Sequence, residues 1–292
     1  MERLLRRGAA GRPEGPPRRK KGAIGRMSQP LIPPRGQHVD LRGYDPAFTG
    51  NLAKEQARQL LPALCERLNE LQDTLYADRR FAVLVVLQGI DTAGKDGTIK
   101  NVFRDVGPLG CSVANFGVPT EEELAHDFLW RYHRETPARG KFVVFNRSHY
   151  EAVLVERVKS LVPEATWQAR YDQINAFERL LVDEGVVVMK FFLHISREEQ
   201  RERLQERIDN PKKHWKFRQG DLEERRNWDR YQQAFAEMLS RCNPAHAPWH
   251  IVPADHKWYR DLVVARALVD RIEALGLRYP GPFEHLAGIR VV

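Results

Sequence analysis

Cysteines are scarce in this sequence. Only Cys65, Cys111 and Cys242 occur in 292 residues, and they form no CxxC pair. A disulfide framework needs more cysteines, and a structural zinc site needs clustered Cys and His ligands. Neither is expected, and a reducing, cytoplasmic location is predicted.

Long apolar runs are also missing. A helix that spans a bilayer needs about 20 predominantly apolar residues. The longest apolar segments, residues 81–87 and 186–195, are much shorter, and the second contains Lys190. We therefore expect a soluble protein with no membrane partner.

The main part of the chain has no charge excess. The formal net charge is +8, but residues 1–36 hold ten Lys and Arg against two acidic residues, which leaves 37 of each sign in the remainder. A basic surface across a whole domain is typical of nucleic-acid binding. The sequence predicts no nucleic-acid partner, so any polyanion site must be local.

Residues 1–37 are predicted to form a disordered basic tail, because their glycines and prolines oppose helix formation and they lack an apolar stretch of signal-peptide length. Three interpretations stay open: a solvated extension, translation that starts at Met27, or a targeting or nucleic-acid arm. Residues 38–292 are predicted to form one domain, with a lid at about 207–227.

Short apolar segments alternate with segments of helical periodicity. Leucines recur at helical spacing over residues 52–75, which predicts a first amphipathic helix. The alternation predicts an α/β fold with a doubly wound parallel sheet, with ligands beyond the carboxyl ends of its strands. The predicted strands are 81–87, 111–116, 142–145, 186–193 and 249–252, and the later predicted helices are 121–134, 166–183, 196–208 and 221–240.

A glycine-rich loop follows the first predicted strand. Residues 89–95, GIDTAGK, match the pattern GxxxxGK and precede a helix predicted to open near Gly97. In such a loop, backbone N–H groups and the helix N-terminus face a phosphate, and Lys95 can reach the same anion. An ordinary glycine-rich strand-to-helix turn is the alternative.

Two acidic residues distinguish this loop. Asp96 occupies the position after the lysine, where Ser or Thr is usual, and Asp91 lies inside the loop. A carboxylate among phosphates is repelled unless a divalent cation lies between them, so Asp91 is predicted to bind Mg²⁺. A capping or first-turn role is the alternative for both residues.

A second set of polar residues follows the third predicted strand, at residues 145–151, FNRSHYE. The later motifs are HDFLWRYH at 126–133, INAFERLL at 174–181, KFFLHIS at 190–196, PKKHWKF at 211–217, APWHIVPADHKWYR at 247–260 and RYP at 278–280. Through these motifs, the glycine-rich loop and FNRSHYE, residues 38–282 resemble the polyphosphate kinase type 2 family.

The resemblance implies a P-loop kinase fold, similar to thymidylate kinase, with a helical lid. It implies Mg²⁺-dependent, reversible transfer of a phosphoryl group between inorganic polyphosphate and AMP or ADP. Asp91, Lys95 and Arg147 become the expected catalytic residues: a metal ligand, a clamp on the transferring group, and a bridge between the substrates. The loop residues expected to bind polyphosphate are Gly89, Ala93, Gly94, Lys95, Asp96 and Gly97.

The segment FNRSHYE resembles the subgroup that phosphorylates both AMP and ADP, whereas other members carry aspartate at the position of Asn146. Asn146 either coordinates Mg²⁺ through its carbonyl oxygen or caps the next helix. Glu151 is expected to compensate for the missing charge and, with Arg147, to bind the nucleotide. His149 is interpreted as a packing or hydrogen-bonding residue, with a proton shuttle as the alternative.

Two further positions carry expectations. Many relatives resembling this subgroup have lysine where this chain has Gly117, so a phosphate contact is expected to be missing or supplied by a neighbour. Asp255 follows the last predicted strand and is either a nucleotide contact or a helix N-cap.

A basic segment precedes and enters the predicted lid. Closure of such a segment over a polyanion would neutralise charge and exclude water; an ordinary solvated surface is the alternative. Trp215 and Phe217 are interpreted as packing anchors rather than base-stacking residues. The residues expected to contact polyphosphate are Arg203, Arg207, Lys212, Lys213 and Lys216.

Three functions compete at this point. A polyphosphate-dependent nucleotide kinase is favoured because Asp91 and the lid lysines suit an extended polyanion. An ATP-dependent nucleoside or nucleoside monophosphate kinase is the second, and a nucleotide-binding regulatory switch is the third. The expected partners are inorganic polyphosphate and adenine nucleotides, with guanine nucleotides left open, and a homo-oligomer is expected.

Overall fold

The computed structural model describes residues 32–281 and 289–291. Most of the predicted tail, residues 1–31, therefore lies outside the described residues, as do residues 282–288 and 292. Within the described part of the tail, Pro33 is buried, and its carbonyl accepts a hydrogen bond from Asn243 Nδ2 at 3.0 Å. The chain thus contacts the main body at Pro33.

Five parallel strands form one sheet. They are Ala82–Gln88 (β1), Cys111–Asn115 (β2), Phe142–Asn146 (β3), Val186–His194 (β4) and Trp249–Pro253 (β5). Their order across the sheet is β2-β3-β1-β4-β5. Every residue of β1 and β4 is buried, because both strands have neighbours on either side and helices flank the sheet. The predicted parallel α/β sheet is confirmed.

Ten helices connect or flank these strands within the described residues. The long predicted helices are confirmed to within a few residues at their ends, which is the usual uncertainty of helix boundaries. The helices are Lys54–Asp78 (α1), Lys95–Val102 (α2), Glu121–Leu124 (α3), Trp130–His133 (α4), Val155–Val158 (α5), Glu164–Asp183 (α6), Arg197–Asp209 (α7), Gly220–Arg226 (α8), Trp228–Arg241 (α9) and Lys257–Glu273 (α10).

The single helix predicted over 121–134 is wrong. Thr120 and Glu123 form a capping box that starts α3, in which each side chain accepts a hydrogen bond from the other residue's N–H. The helix ends at Leu124, and Asp127 Oδ1 then accepts a hydrogen bond from Leu129 N at 2.9 Å. This local bond competes with helix continuation, so the segment forms two short helices.

The helix predicted over 221–240 is divided at Asn227, between α8 and α9. The side chain of Asn227 donates to Glu223 O at 3.2 Å. The predicted apolar face of α9 is confirmed, since all its members are buried. They are Trp228, Tyr231, Phe235 and Leu239.

The carboxyl ends of three central strands lie side by side. Leu87 in β1 pairs with Asn146 in β3 and with Phe191 in β4. The chain therefore leaves β1 between the ends of two neighbouring strands, which is where ligands bind in open α/β sheets. No helix in the described part of the chain is long and apolar enough to cross a membrane.

Residues 33–46, here called the N-terminal strap, precede α1 and lie at the ends of β4 and β5. His194 Nε2 lies 3.1 Å from Tyr44 O. Asp255 N donates to Pro46 O at 3.1 Å. The strap therefore lies at the carboxyl-end edge of the sheet, where the glycine-rich loop also lies.

Candidate active site

Residues 89–95 form a tight loop between β1 and α2. Gly89 and Gly94 adopt φ of 155° and 107°. A Cβ on Gly89 would lie 2.8 Å from Leu193 O, and one on Gly94 would lie 1.8 Å from Arg260 Nη1, so only glycine fits at either position. The predicted start of α2 near Gly97 is two residues late, and the helix N-terminus opens directly onto the loop.

Lys95 is buried within this loop. Its Nζ donates to Gly89 O at 2.7 Å and lies 3.4 Å from Ile90 O. Burial, with a smaller contribution from Arg147, lowers the pKa of Lys95 to about 8, although the carboxylate of Asp91 raises it. The ammonium group lies where it can exchange loop carbonyls for the oxygens of a phosphate.

Asp91 and Arg147 face each other across the cleft between β1 and β3. Arg147 Nη2 lies 2.6 Å from Asp91 Oδ1, and its Nη1 lies 3.4 Å from Glu151 Oε2. Burial is the largest influence on the pKa of Asp91 and raises it, but the charges of Arg147 and Lys95 hold that pKa below its usual value. Glu151 and Asp91 together raise the pKa of Arg147. The arginine thus remains charged between two carboxylates.

Asn146 joins the loop to the end of β2. Its Nδ2 donates to Asp96 Oδ1 and to Asn115 Oδ1, both at 2.9 Å. The alternative that Asn146 caps the next helix is wrong, because Ser148 Oγ accepts from Tyr150 N at 3.3 Å and caps the 3-10 turn at His149–Val153. Asp96 lies in the first turn of α2, which confirms the first-turn position given as its alternative role.

The oxygen donors in this cleft fit a magnesium ion that is shared with a substrate. The described residues contain no group of three or more His, Cys, Asp or Glu that could hold a metal alone. Mg²⁺ usually binds through one or two carboxylates, while water and substrate phosphates complete its shell. The Asp91 carboxylate and the Asn146 carbonyl oxygen are donors of this kind.

A fully buried ion pair, missed by sequence reasoning, lies beneath the turn that follows Arg147. Glu178 Oε2 accepts from Lys190 Nζ at 2.6 Å, and Glu178 Oε1 accepts from Tyr150 OH at 2.7 Å. His149 Nε2 lies 3.2 Å from Glu178 Oε1, as a hydrogen-bonding role for His149 predicted. Burial lowers the pKa of His149. The available signal was Lys190, a lysine inside an apolar strand.

The predicted lid, residues 207–227, contacts the start of α2. Arg207 Nη1 donates to Asp221 Oδ2 at 2.9 Å and to Lys216 O at 3.2 Å, which joins α7 to α8 and to the 3-10 turn between them. Lys216 Nζ lies 3.7 Å from Asp96 Oδ2 in the first turn of α2. A positive charge of the lid therefore already lies near the loop.

The other lid residues are more exposed. Lys212 is exposed, and Lys213 pairs with Glu206 at the end of α7. The interpretation of Trp215 as a packing anchor is wrong, because this side chain is 76% exposed, although its Nε1 donates to Lys212 O at 3.1 Å. Phe217 is half-buried.

Helix α8 connects the lid to two parts of the main body. Glu224 forms an ion pair with Lys159, in the turn after α5. Arg225 Nη1 donates to Gln200 Oε1 at 2.9 Å, and Gln200 Nε2 lies 3.4 Å from Asp91 O. Sequence reasoning missed these contacts because they join segments that are far apart in the chain.

Arg203 lies behind the loop and does not face the cleft. It is 6% exposed, and its five N–H donors bond to protein oxygens. These donors therefore leave no hydrogen for a phosphate, and Arg203 does not belong among the polyphosphate contacts. The acceptors are Glu199 Oε1 and the carbonyl oxygens of Thr92, Ala93, Ala254 and Asp255.

Asp255 has a structural partner. Its Oδ1 accepts from Ser196 N at 2.8 Å, which joins the end of β5 to the start of α7. The alternative prediction, that Asp255 is the N-cap of α10, is wrong, because His256 occupies that position. The carboxylate is therefore already engaged by the protein.

Residues 51–278 match the model of the family described as Polyphosphate kinase 2 (PPK2). Two relatives agree with this match along nearly their whole length. AMP/ADP-polyphosphate phosphotransferase of Meiothermus ruber is 52% identical, over 88% of this chain and 96% of the relative. ADP-polyphosphate phosphotransferase of Rhodopseudomonas palustris is 42% identical, over 84% of this chain and 89% of the relative.

A solved structure gives the same result for the fold. The crystal structure of polyphosphate kinase 2 from Arthrobacter aurescens TC1 superposes with a TM-score of 0.81 and 38% identity, over 88% of this chain and 95% of that chain. By sequence and by structure, this chain belongs to the polyphosphate kinase 2 family.

Proposed function

We propose that this chain transfers a phosphoryl group between inorganic polyphosphate and AMP or ADP, with Mg²⁺ as its cofactor. The observation that carries the proposal is the Asp91–Arg147 pair, which joins the phosphate loop to the end of β3. The names of the relatives from Meiothermus ruber and Rhodopseudomonas palustris support polyphosphate as one substrate and an adenine nucleotide as the other.

The loop suits the end of a polyphosphate chain. Its backbone N–H groups and the start of α2 favour an anion. Lys95 provides the only buried ammonium group among the described loop residues, and its present partners are loop carbonyls. The proposed contacts are Gly89, Ala93, Gly94, Lys95, Asp96 and Gly97.

Arg147 suits a position between the two substrates. Its guanidinium contacts carboxylates on two sides, Asp91 and Glu151, and a planar guanidinium binds phosphate oxygens with the same geometry. In the transfer step, a phosphate oxygen of the nucleotide forms a bond to the terminal phosphorus, and the bond to the bridging oxygen of polyphosphate breaks. We propose that Arg147 stabilises the charge on the transferred group and that Glu151 orients Arg147 towards the nucleotide.

Mg²⁺ would be held by Asp91 and by the Asn146 carbonyl oxygen, together with substrate phosphates. When bound, the ion neutralises phosphate charge as a Lewis acid. Arg147 contacts Oδ1 of the Asp91 carboxylate, so the second oxygen, Oδ2, would be the one to bind the ion while the guanidinium stays beside the substrates.

The lid suits capture of the rest of the polyanion. Lys216 lies beside Asp96 and Arg207 binds the Lys216 carbonyl oxygen, whereas Lys212 is exposed and Lys213 pairs with Glu206. Closure of these charges over the chain would exclude water, which favours transfer to a nucleotide over hydrolysis.

The test is a donor and acceptor assay on the purified chain. Mg²⁺, polyphosphate and AMP are expected to give ADP and then ATP, whereas ATP in place of polyphosphate should be a poor donor to AMP. GMP and GDP, assayed in parallel, decide the base preference. Asp91→Asn, which has nearly the same shape without the charge, should abolish transfer. No product from polyphosphate with any nucleotide would refute the proposal.

A further inference from the structure

Arg203 uses every hydrogen-bond donor it has on the protein itself. Nη1 donates to Thr92 O at 2.8 Å and to Ala93 O at 3.0 Å, and Nη2 donates to Ala254 O at 2.6 Å and to Asp255 O at 3.0 Å. Nε donates to Glu199 Oε1 at 2.6 Å. All five N–H donors of Arg203 are therefore hydrogen-bonded, and the side chain lies on the side of the loop that faces away from the cleft.

We infer that Arg203 is a positioning residue, which fixes the carbonyl groups of Thr92 and Ala93 so that the N–H of Gly94 is presented to the polyanion. The C=O of one residue and the N–H of the next share a planar trans peptide, in which they point in opposite directions. A bond from Arg203 to Ala93 O therefore directs the N–H of Gly94 to the other side of the loop.

The conformation of Thr92 shows that the loop needs this support. Thr92 has φ of 71°, in the left-handed region, which is unfavourable for a β-branched residue. Strained backbone of this kind persists only where its surroundings fix it. The N–H of Ala93 donates to Ile90 O at 3.0 Å, while Arg203 binds Thr92 O, so the peptide between Thr92 and Ala93 is held at both ends.

A second arginine completes the support. Arg260 in α10 is 2% exposed, and its Nη1 lies 3.5 Å from Ala93 O. Arg203 pairs with Glu199, and Arg260 pairs with Asp261 at 2.7 Å. Because each arginine has a carboxylate partner, their effect on the loop is one of position more than of net charge.

The same residue connects the loop to the lid. Arg203 and Arg207 lie one turn apart in α7, and Arg207 binds Asp221 in α8. The helix therefore carries a loop contact and a lid contact on neighbouring turns. Loss of Arg203 should loosen the loop without removing the lid charges.

The test compares Arg203→Ala and Arg203→Lys with Arg201→Ala. Arg201 lies in the same helix but is exposed, so it controls for the loss of one arginine from α7. Hydrogen exchange of the amides in residues 89–97 is expected to become at least about tenfold faster in both Arg203 variants, but not in the control. Lysine has the charge but not five donors in a fixed fork, so it should not restore protection fully.

The kinetic readout rests on the proposed function. The KM for polyphosphate should rise about tenfold in Arg203→Ala, while the KM for AMP should stay within about twofold, since loop geometry acts on one substrate. Added methylguanidinium should restore part of the lost affinity in Arg203→Ala and none in Arg201→Ala. A structural role without positioning would not produce this selective rescue.

The two hypotheses fail separately. If the wild-type chain transfers nothing from polyphosphate, the proposed function is wrong, and hydrogen exchange still decides the role of Arg203. If Arg203→Ala does not fold, Arg203→Lys, which retains the stem and the charge, gives the same comparison. Wild-type exchange in the loop of a folded Arg203 variant would overturn the inference.

Discussion

Arg147 Nη2 lies 2.6 Å from Asp91 Oδ1, so a guanidinium from the end of β3 closes on the loop that follows β1. Neither residue is held by its own element alone. Arg147 adopts φ of 65°, and the turn after it is anchored through Tyr150 to the buried Glu178. The position of Arg147 beside Asp91, on which its proposed role depends, is therefore set by contacts at the carboxyl-end edge of the sheet.

Arg147→Ala should lower kcat with polyphosphate by about 10²–10³-fold, as is typical for loss of one group that stabilises transition-state charge. KM for either substrate should change less. Steady-state kinetics check this, with Arg139→Ala as the control because Arg139 is exposed on the loop before β3. Near-wild-type kcat in Arg147→Ala would exclude the bridging role.

The pH dependence should reflect Lys95, whose pKa is lowered to about 8. Above this pH the free enzyme loses the ammonium charge, so kcat/KM for polyphosphate should fall by about tenfold per pH unit. Bound polyphosphate favours the charged form, so kcat should fall at higher pH than kcat/KM. A profile that is flat from pH 7 to 10 would show that this ammonium does not bind the donor.

The buried Glu178–Lys190 pair should stabilise the folded protein more than an exposed ion pair does. Glu178→Gln leaves Lys190 buried without its charge partner and should lower the free energy of unfolding by about 3–5 kcal/mol. The double variant Glu178→Gln/Lys190→Met should lose less free energy of unfolding than the two single variants lose in sum. Urea unfolding measures this, and Arg179→Ala, which removes an exposed pair with Asp183 on the same helix, should cost much less.

The same pair predicts acid sensitivity. Burial is the largest single influence on the pKa of Glu178 and raises it, but the charge of Lys190 and the hydrogen bonds from His149 and Lys190 together lower the pKa below its usual value. A depressed carboxyl pKa stabilises the folded state above the ordinary pKa of 4.5, and this contribution is lost as the pH falls further through the lowered value. Wild-type unfolding free energy should thus decline below pH 4.5 more steeply than that of Glu178→Gln.

Gly117→Lys should strengthen polyphosphate binding. A Cβ at Gly117 meets no atom within 4 Å, so a side chain fits without rearrangement. One additional exposed charge near the cleft should lower the KM for polyphosphate by about two- to fivefold, and added salt should remove the gain. Gly117→Ala is the control for the backbone change, and an unchanged KM in Gly117→Lys would show that the position does not contact the donor.

The sheet and the loop were predictable because their signals are local. A continuous apolar strand, a glycine-rich turn and a helix occur within about twenty residues of each other, and each is recognised from its own periodicity or composition. The polar residues after β3 were predictable because all strands of a parallel sheet end at one edge.

The remaining features depend on contacts between segments that are far apart in the chain. Arg203 and Arg207 lie one turn apart on the same face of α7, yet Arg203 binds the loop and Arg207 binds the lid. The partner of Lys190 is on α6, and no spacing in the sequence relates the two. A large aromatic side chain such as Trp215 is usually buried, but this one is exposed in the turn that carries it.

The N-terminal strap has a practical consequence for attaching this chain to a carrier or a second enzyme. Tyr44 and Pro46 contribute carbonyl groups that contact His194 and Asp255, so these residues form part of the site's support. A fusion joined before Pro33 leaves every one of those contacts in place. A fusion joined within residues 33–46 would detach the strap. Such a fusion should lower both the catalytic efficiency and the yield of folded protein.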